Sequence, residues 1–283
     1  MQTADRIGAS PLTRSGKALP PNALLLNCFG RGGSSIVWNI IGSSPDVLMP
    51  KYEWHVGVFG RFYKLRKAAC RIGGAVNWAS VPVFWRHMRA ATADTVLPGE
   101  RNEKPQARYV VLKVMDYYIA FDDAIARGFM EARNLVLTRH PLPMCEGLIR
   151  SGLSEASAIK WYNDVTSLMF KASRKRDALS LRFENLIQSP DAFVRSLYDA
   201  LGIAAAEDGK IRFKVKSFGT ARKANTDAAT GEKLRIKLDE ASDHIAPDVN
   251  TRAVARLDRS ARQRIWEGTR ATAELFDYGG DNF

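Results

Sequence analysis

The chain has 283 residues, with 42 Lys+Arg against 30 Asp+Glu and a formal charge of +12. Hydrophobic residues make up 46% and charged ones 25%, a globular balance that excludes a wholly disordered or fibrous chain. The length suits one large α/β domain, and no stretch approaches the roughly 20 uninterrupted apolar residues of a membrane helix.

Residues 1–21 mix Asp5, Arg6, Arg14 and Lys17 with small polar residues and lack the apolar middle of a secretory signal. They read as a flexible leader on a cytoplasmic protein, and residues 22–283 as a single domain. Leu24, Leu25 and Leu26 form a short buried strand that leads into a glycine-rich turn at residues 29–35. Ile36, Val37, Ile40 and Ile41 then recur at helical spacing as far as Gly42. A basic insertion follows, around residues 57–105. Arg61, Lys64, Arg66, Lys67, Arg71, Arg86 and Arg89 fall in a stretch without acids, interleaved with Tyr63, Trp78, Phe84 and Trp85. Those aromatics suit either an acidic acceptor or the core of a helical cap.

Further strand patterns occupy residues 109–114, 134–138 and 178–183. Each precedes a helical pattern, at 118–127, 142–151 and 190–201. Strands alternating with helices imply a parallel sheet covered on both faces. Ser154 and Glu155 open a long helix towards Lys171. Ser189, Pro190 and Asp191 make an N-terminal signal that Gly202 answers with a C-cap. Residues 210–216 alternate like a strand, and residues 260–276 read as a last helix. The cysteines, Cys28, Cys70 and Cys145, are few and scattered. That pattern argues against a disulfide framework or a zinc site and for a reducing compartment; no metal is expected.

The turn carries the chemistry. Gly30, Gly32 and Gly33 let main-chain N–H groups approach an anion, and the following helix start adds partial positive charge. Ser34 and Ser35 add hydroxyl donors, and Arg31 can pair with two oxygens at once. It is not a Walker A loop, because the Gly-Lys-Ser/Thr is missing, and its glycine spacing is not that of a dinucleotide fold. Capture of a terminal phosphate or sulfate fits best.

Residues 24–47, LLLNCFGRGGSSIVWNIIGSSPDV, resemble the 5′-phosphosulfate loop of sulfotransferases that use 3′-phosphoadenosine 5′-phosphosulfate (PAPS). Gly30 replaces that family's common proline and Gly32 its common serine. Glu53, Trp54, His55 and Val56 are similar to a segment of the carbohydrate sulfotransferases. The family's second motif, Arg-Asp-Pro with a serine eight residues after the arginine, is matched by Arg139, His140 and Pro141, with Gly147 at the serine position and Ser151 one helical turn later. Arg182, Phe183, Glu184, Asn185 and Leu186 resemble another conserved strand and helix, in which Glu184 anchors loops, and residues 216–223 resemble a late basic loop over the nucleotide.

The resemblance implies a P-loop-like three-layer fold with a central parallel sheet flanked by helices. It also implies PAPS as co-substrate and sulfuryl transfer to an acceptor hydroxyl, on a glycan or glycoconjugate. Arg31, Gly32, Gly33, Ser34, Ser35 and Arg139 would bind the donor, and Lys113, on the strand before Arg139, would lie near the sulfate. Glu53 and His55 are the two candidates for the base, with Glu53 preferred. Two other classes compete: a P-loop-like kinase or hydrolase, and a basic polyanion or nucleic-acid binder without catalysis. The missing Walker lysine counts against the first, and the spread of charge along the chain against the second; no nucleic-acid partner is expected.

Overall fold

The computed structural model describes residues 19–51, 53–55, 89–90, 92–93, 95–96, 99–212 and 245–280, together with the backbone of 235–237. Most of the leader, the aromatic residues Tyr63, Trp78, Phe84 and Trp85, and the late basic segment 216–223 lie outside the described residues.

The centre is a five-stranded parallel sheet in the order β2-β3-β1-β4-β5. Its strands are β1 (Asn22–Cys28), β2 (Val47–Leu48), β3 (Tyr109–Met115), β4 (Glu131–Thr138) and β5 (Leu179–Arg182). β1 lies in the middle, with Leu25 opposite Leu112 of β3 on one side and Asn134 of β4 on the other. Its alternation builds two cores. Ala23 and Leu25 face a layer formed by α4 (Pro141–Arg150), α5 (Glu155–Ser173) and α9 (Arg259–Ala273). Leu24, Leu26 and Cys28 face α1 (Ser34–Ser43), α6 (Phe183–Gln188) and α7 (Pro190–Leu201). Both faces are covered, which is why these strands read as continuous apolar runs. Burying a leucine of β1 contributes about 1.5–3 kcal/mol. Smaller elements complete the described chain: α2 (Glu100–Glu103), α3 (Asp122–Ala126), the antiparallel pair β6 (Lys210–Arg212) and β7 (Arg235–Lys237), and α8 (Val249–Val254). The P-loop-like three-layer α/β architecture expected from the sequence is the one observed.

Several helix signals act as read. Ser154 Oγ accepts from the Ser157 N–H at 3.2 Å, and Gly202 closes α7 with φ 61°. Three local readings need correction. Ser189 makes no side-chain cap, so α7 starts on Pro190 alone. Strand β5 ends at Arg182 and Phe183 already opens α6, because the Phe183 ring packs against Gly33 and beneath the Arg139 guanidinium, 4.7 Å away. The helix expected at 118–127 is a 3₁₀ turn, Asp116–Phe121, followed by α3, since Asp116 leaves β3 with φ 55°.

Position in this sheet decides where chemistry happens. After β1 the chain goes to the β2–β3 side, and after β3 it crosses to β4. The carboxyl end of β1 is therefore a topological switch point, where open α/β sheets leave a crevice. Among the described residues, no helix is long and apolar enough to cross a membrane.

Candidate active site

The glycine-rich loop fills that crevice. The Gly32 N–H and the Ser34 hydroxyl both donate to Phe29 O, each at 3.3 Å, curling the chain into α1. A Cβ on Gly33, where φ is 79°, would lie 2.0 Å from the Phe183 ring, so the position admits only glycine. Arg31 has φ 107°, which costs a non-glycine residue on the order of 1–3 kcal/mol. Its carbonyl is pinned by the Arg139 Nη1–H at 2.8 Å. Arg31 and, at the start of α1, Gly33, Ser34 and Ser35 line a cleft of about 700 Å³.

Lys113 reaches the loop from the end of β3. Its Nζ donates to Ser35 Oγ at 3.0 Å and to Glu53 Oε1 at 3.3 Å, and it lies 5.5 Å from the Trp38 ring centroid. With only 3% of its surface exposed, it is not a solvated strand-end lysine. Glu53 lines the cleft with its side chain 33% exposed. His55 does not line it. The imidazole is buried, stacked on Tyr118 at 4.3 Å between centroids, and its Nε2 lies 4.0 Å from Glu53 Oε2. Lys113, Ser35 and Glu53 are thus brought together, with His55 behind the carboxylate.

Arg139 leaves β4 at the opposite side of the loop. Besides the bond to Arg31 O, its Nε and Nη2 both donate to Asn250 Oδ1, at 3.0 and 2.7 Å. Asn250 Nδ2 donates to Glu184 Oε1 at 2.9 Å. The same Glu184 oxygen takes the His140 N–H at 3.0 Å, and Oε2 takes the Tyr278 hydroxyl at 2.8 Å. Glu184 therefore ties together the start of α4, α8 and the chain at Tyr278. Burial lowers the Arg139 guanidinium to about 10, with Glu184 among the charges that oppose the fall; the group stays charged at neutral pH.

Substitutions that looked like losses have local explanations. His140 caps α4, its Nδ1 accepting from the Leu142 N–H at 3.3 Å, a bond that an aspartate at the N-cap could also make. Burial holds its imidazole below the ordinary histidine value, consistent with the neutral tautomer that this bond requires. Gly147 lies on the cleft wall beside Arg31. Ser151 does not replace the absent hydroxyl. It ends α4 by donating to Leu148 O at 2.7 Å and is not among the cleft residues.

The far end of the cleft was not read from the sequence. Glu146, 4% exposed, accepts two bonds from Arg256, at 2.5 and 3.0 Å, and one from Arg150 at 3.2 Å. Arg252 joins them on the wall. Six cationic side chains thus line the cleft against the two acids Glu53 and Glu146, and Phe183, Ile187, Ile245 and Val249 add an apolar surface. The spacing of Glu146 and Arg150 is a helical ion pair legible on α4. Nothing local marks Arg252 and Arg256, which the tertiary fold returns to the cleft from over a hundred residues away.

A family model described as "Sulfotransferase family" matches residues 25–208. The chain belongs to the sulfotransferase family. No curated protein matches it significantly, but solved structures do. The sulfotransferase domain of the Synechococcus PCC 7002 olefin synthase superposes with a TM-score of 0.54 at 18% identity, covering 92% of this chain and 96% of that one. The sulfotransferase domain of the curacin biosynthetic pathway gives 0.50 at 14% identity, covering 92% and 99%. A sulfotransferase from Alicyclobacillus acidocaldarius gives 0.50 at 14%, covering 92% and 95%. At such identities the likeness is one of fold. The matched span of this sulfotransferase holds the glycine-rich loop, Glu53, Lys113, Arg139 and Gly147, and ends before α8. Its chemistry is sulfuryl transfer, so the kinase or hydrolase reading and the non-catalytic binder give way.

Proposed function

We propose that the protein transfers a sulfuryl group from PAPS to an acceptor hydroxyl on a glycan or glycoconjugate. The observation that carries this reading is Lys113 Nζ lying between Ser35 of the loop and Glu53 at the cleft. One cation there touches both the anion-binding loop and Glu53, a carboxylate that lines the cleft. The residue set suits the nucleotide: the start of α1 and Arg31 for the phosphosulfate, further arginines for a second phosphate, and an apolar wall for a purine.

PAPS supplies an activated sulfuryl group and a bisphosphate leaving group. The amides of Gly33 to Ser35 at the start of α1, Arg31 and Lys113 hold donors on the sulfuryl oxygens and on the leaving oxygen, where charge grows. Glu53 takes the proton of the acceptor hydroxyl at a carboxylate oxygen, and the hydrogen bond it accepts from Lys113 holds that carboxylate at the cleft. His55, behind Glu53, orients the carboxylate rather than receiving the proton. Arg139, Arg150, Arg252 and Arg256 hold the nucleotide end. The similarity of Glu53, Trp54, His55 and Val56 to the carbohydrate enzymes is the support for a sugar hydroxyl.

Calorimetric titration with adenosine 3′,5′-bisphosphate, with AMP and ATP as controls, tests the donor. Micromolar bisphosphate binding, with AMP at least about tenfold weaker and loss of binding in Arg139→Ala, is the expected result. Glu53→Gln should keep that affinity and lower kcat by about 10²–10⁴ in an acceptor screen. Equal binding of AMP and the bisphosphate would sink the donor assignment.

A further inference from the structure

Gly30 and Asp116 meet across the carboxyl ends of β1 and β3. The Gly30 N–H donates to Asp116 Oδ1 at 2.9 Å, and a Cβ on Gly30 would lie 2.8 Å from Oδ2. Asp116 is itself fixed. It leaves the strand with φ 55°, a conformation aspartate tolerates better than most residues, and Trp161 Nε1 of α5 donates to the same Oδ1 at 3.4 Å. One residue along the loop, the carbonyl of left-handed Arg31 accepts from Arg139. Two adjacent loop residues are therefore gripped from opposite sides, an acid on the donor of one and a base on the acceptor of the next. Proline, the common residue at position 30 in the resembling loops, has no N–H to donate, so this grip depends on the glycine that departs from the pattern.

We propose that Asp116 is a positioning residue for sulfuryl transfer, clamping Gly30 so that Arg31 and the loop amides face the donor's transferable group. Asp116 does not line the cleft, and it acts only through the main chain of Gly30. The inference rests on the donor reading above.

The test uses the full chain and compares Asp116→Ala, Asp116→Asn, Gly30→Ala and the Asp116→Ala/Gly30→Ala pair. Two quantities are measured: affinity for adenosine 3′,5′-bisphosphate and amide hydrogen exchange at residue 30. Asp116→Ala should weaken binding about tenfold and speed exchange by a similar factor, as loss of one partly buried hydrogen bond to a carboxylate predicts. Asp116→Asn keeps an acceptor oxygen and should recover affinity to within about threefold. Gly30→Ala should weaken binding about tenfold alone, yet add little to Asp116→Ala, where the oxygen it strikes is gone. Unchanged affinity and exchange in a folded Asp116→Ala, or additive effects in the pair, overturn the clamp. Should Asp116→Ala not fold, unchanged affinity in Gly30→Ala overturns it. A wild-type protein that ignores the bisphosphate defeats the donor reading instead, and hydrogen exchange still decides the clamp.

Discussion

At Gly147 the surroundings do not demand glycine. The nearest atom to an added Cβ is Arg31 Cβ at 3.8 Å, ordinary van der Waals contact, and the residue lies within α4. Gly147→Ser should raise stability by about 0.5 kcal/mol through helix propensity. It should also tighten bisphosphate binding about threefold to tenfold by placing a hydroxyl on the cleft wall. Thermal unfolding and calorimetry read the two effects separately; a destabilised variant would mean that α4 packs more tightly here than its contacts indicate. Gly33 is the opposite case, since the Phe183 ring occupies the space of any side chain. Sequence pattern marked Gly33 as a loop glycine and Gly147 as a departure from the family serine; which of the two positions requires glycine is decided by the neighbours in space.

Between elements, Glu146 ties α4 to the segment after α8. Burial works to raise its carboxyl, but the Arg256 hydrogen bonds and the charges of Arg256 and Arg150 prevail and hold it below the ordinary 4.5. A carboxylate depressed in the folded state gives stability that is full above pH 4.5 and is lost as pH falls through its folded value. Glu146→Gln should therefore cost about 1 kcal/mol at neutral pH, since both arginines are half-exposed and can rehydrate. The variant should also flatten the acid limb of the stability curve below that point. Urea unfolding of both proteins across the acid range measures this, and identical slopes would remove Glu146 from the latch. Within α8 itself, Asn250 joins Arg139 to Glu184. These contacts explain why a region with no motif of its own forms a wall of the cleft.

Over the whole molecule the charge is +12, spread along the chain, and the cleft itself gathers six cations against two acids. A field of that sign raises the local concentration of an anionic ligand and is screened within about 8 Å at physiological ionic strength. Bisphosphate association should slow severalfold between about 0.05 and 0.5 M salt, while dissociation, governed by partly buried contacts, changes less. Stopped-flow mixing at several salt concentrations checks both. A flat association rate would mean that distant surface charge contributes nothing to capture.

The order of strands and helices, the two-faced burial of β1 and the glycine turn at its end were legible because hydrophobic period and turn chemistry are local. Leu24, Leu25 and Leu26 announce a strand buried on both faces wherever it lies, and the converging glycines announce an anion site before any fold is known. Arg139 was legible for a related reason, as a charge at the carboxyl end of a buried strand. Partnership was not. That Lys113 bonds Ser35 and Glu53, that Asp116 grips Gly30, and that Arg252 and Arg256 return to the same cleft all depend on how three strand ends are brought side by side and on how α8 folds back over them. Those contacts join residues 60 to 86 positions apart in the first two cases and 110 apart for Glu146 and Arg256. Sequence spacing sets periodicity over a few turns, whereas packing of the two cores against the sheet sets the distances at which a cation meets its anion.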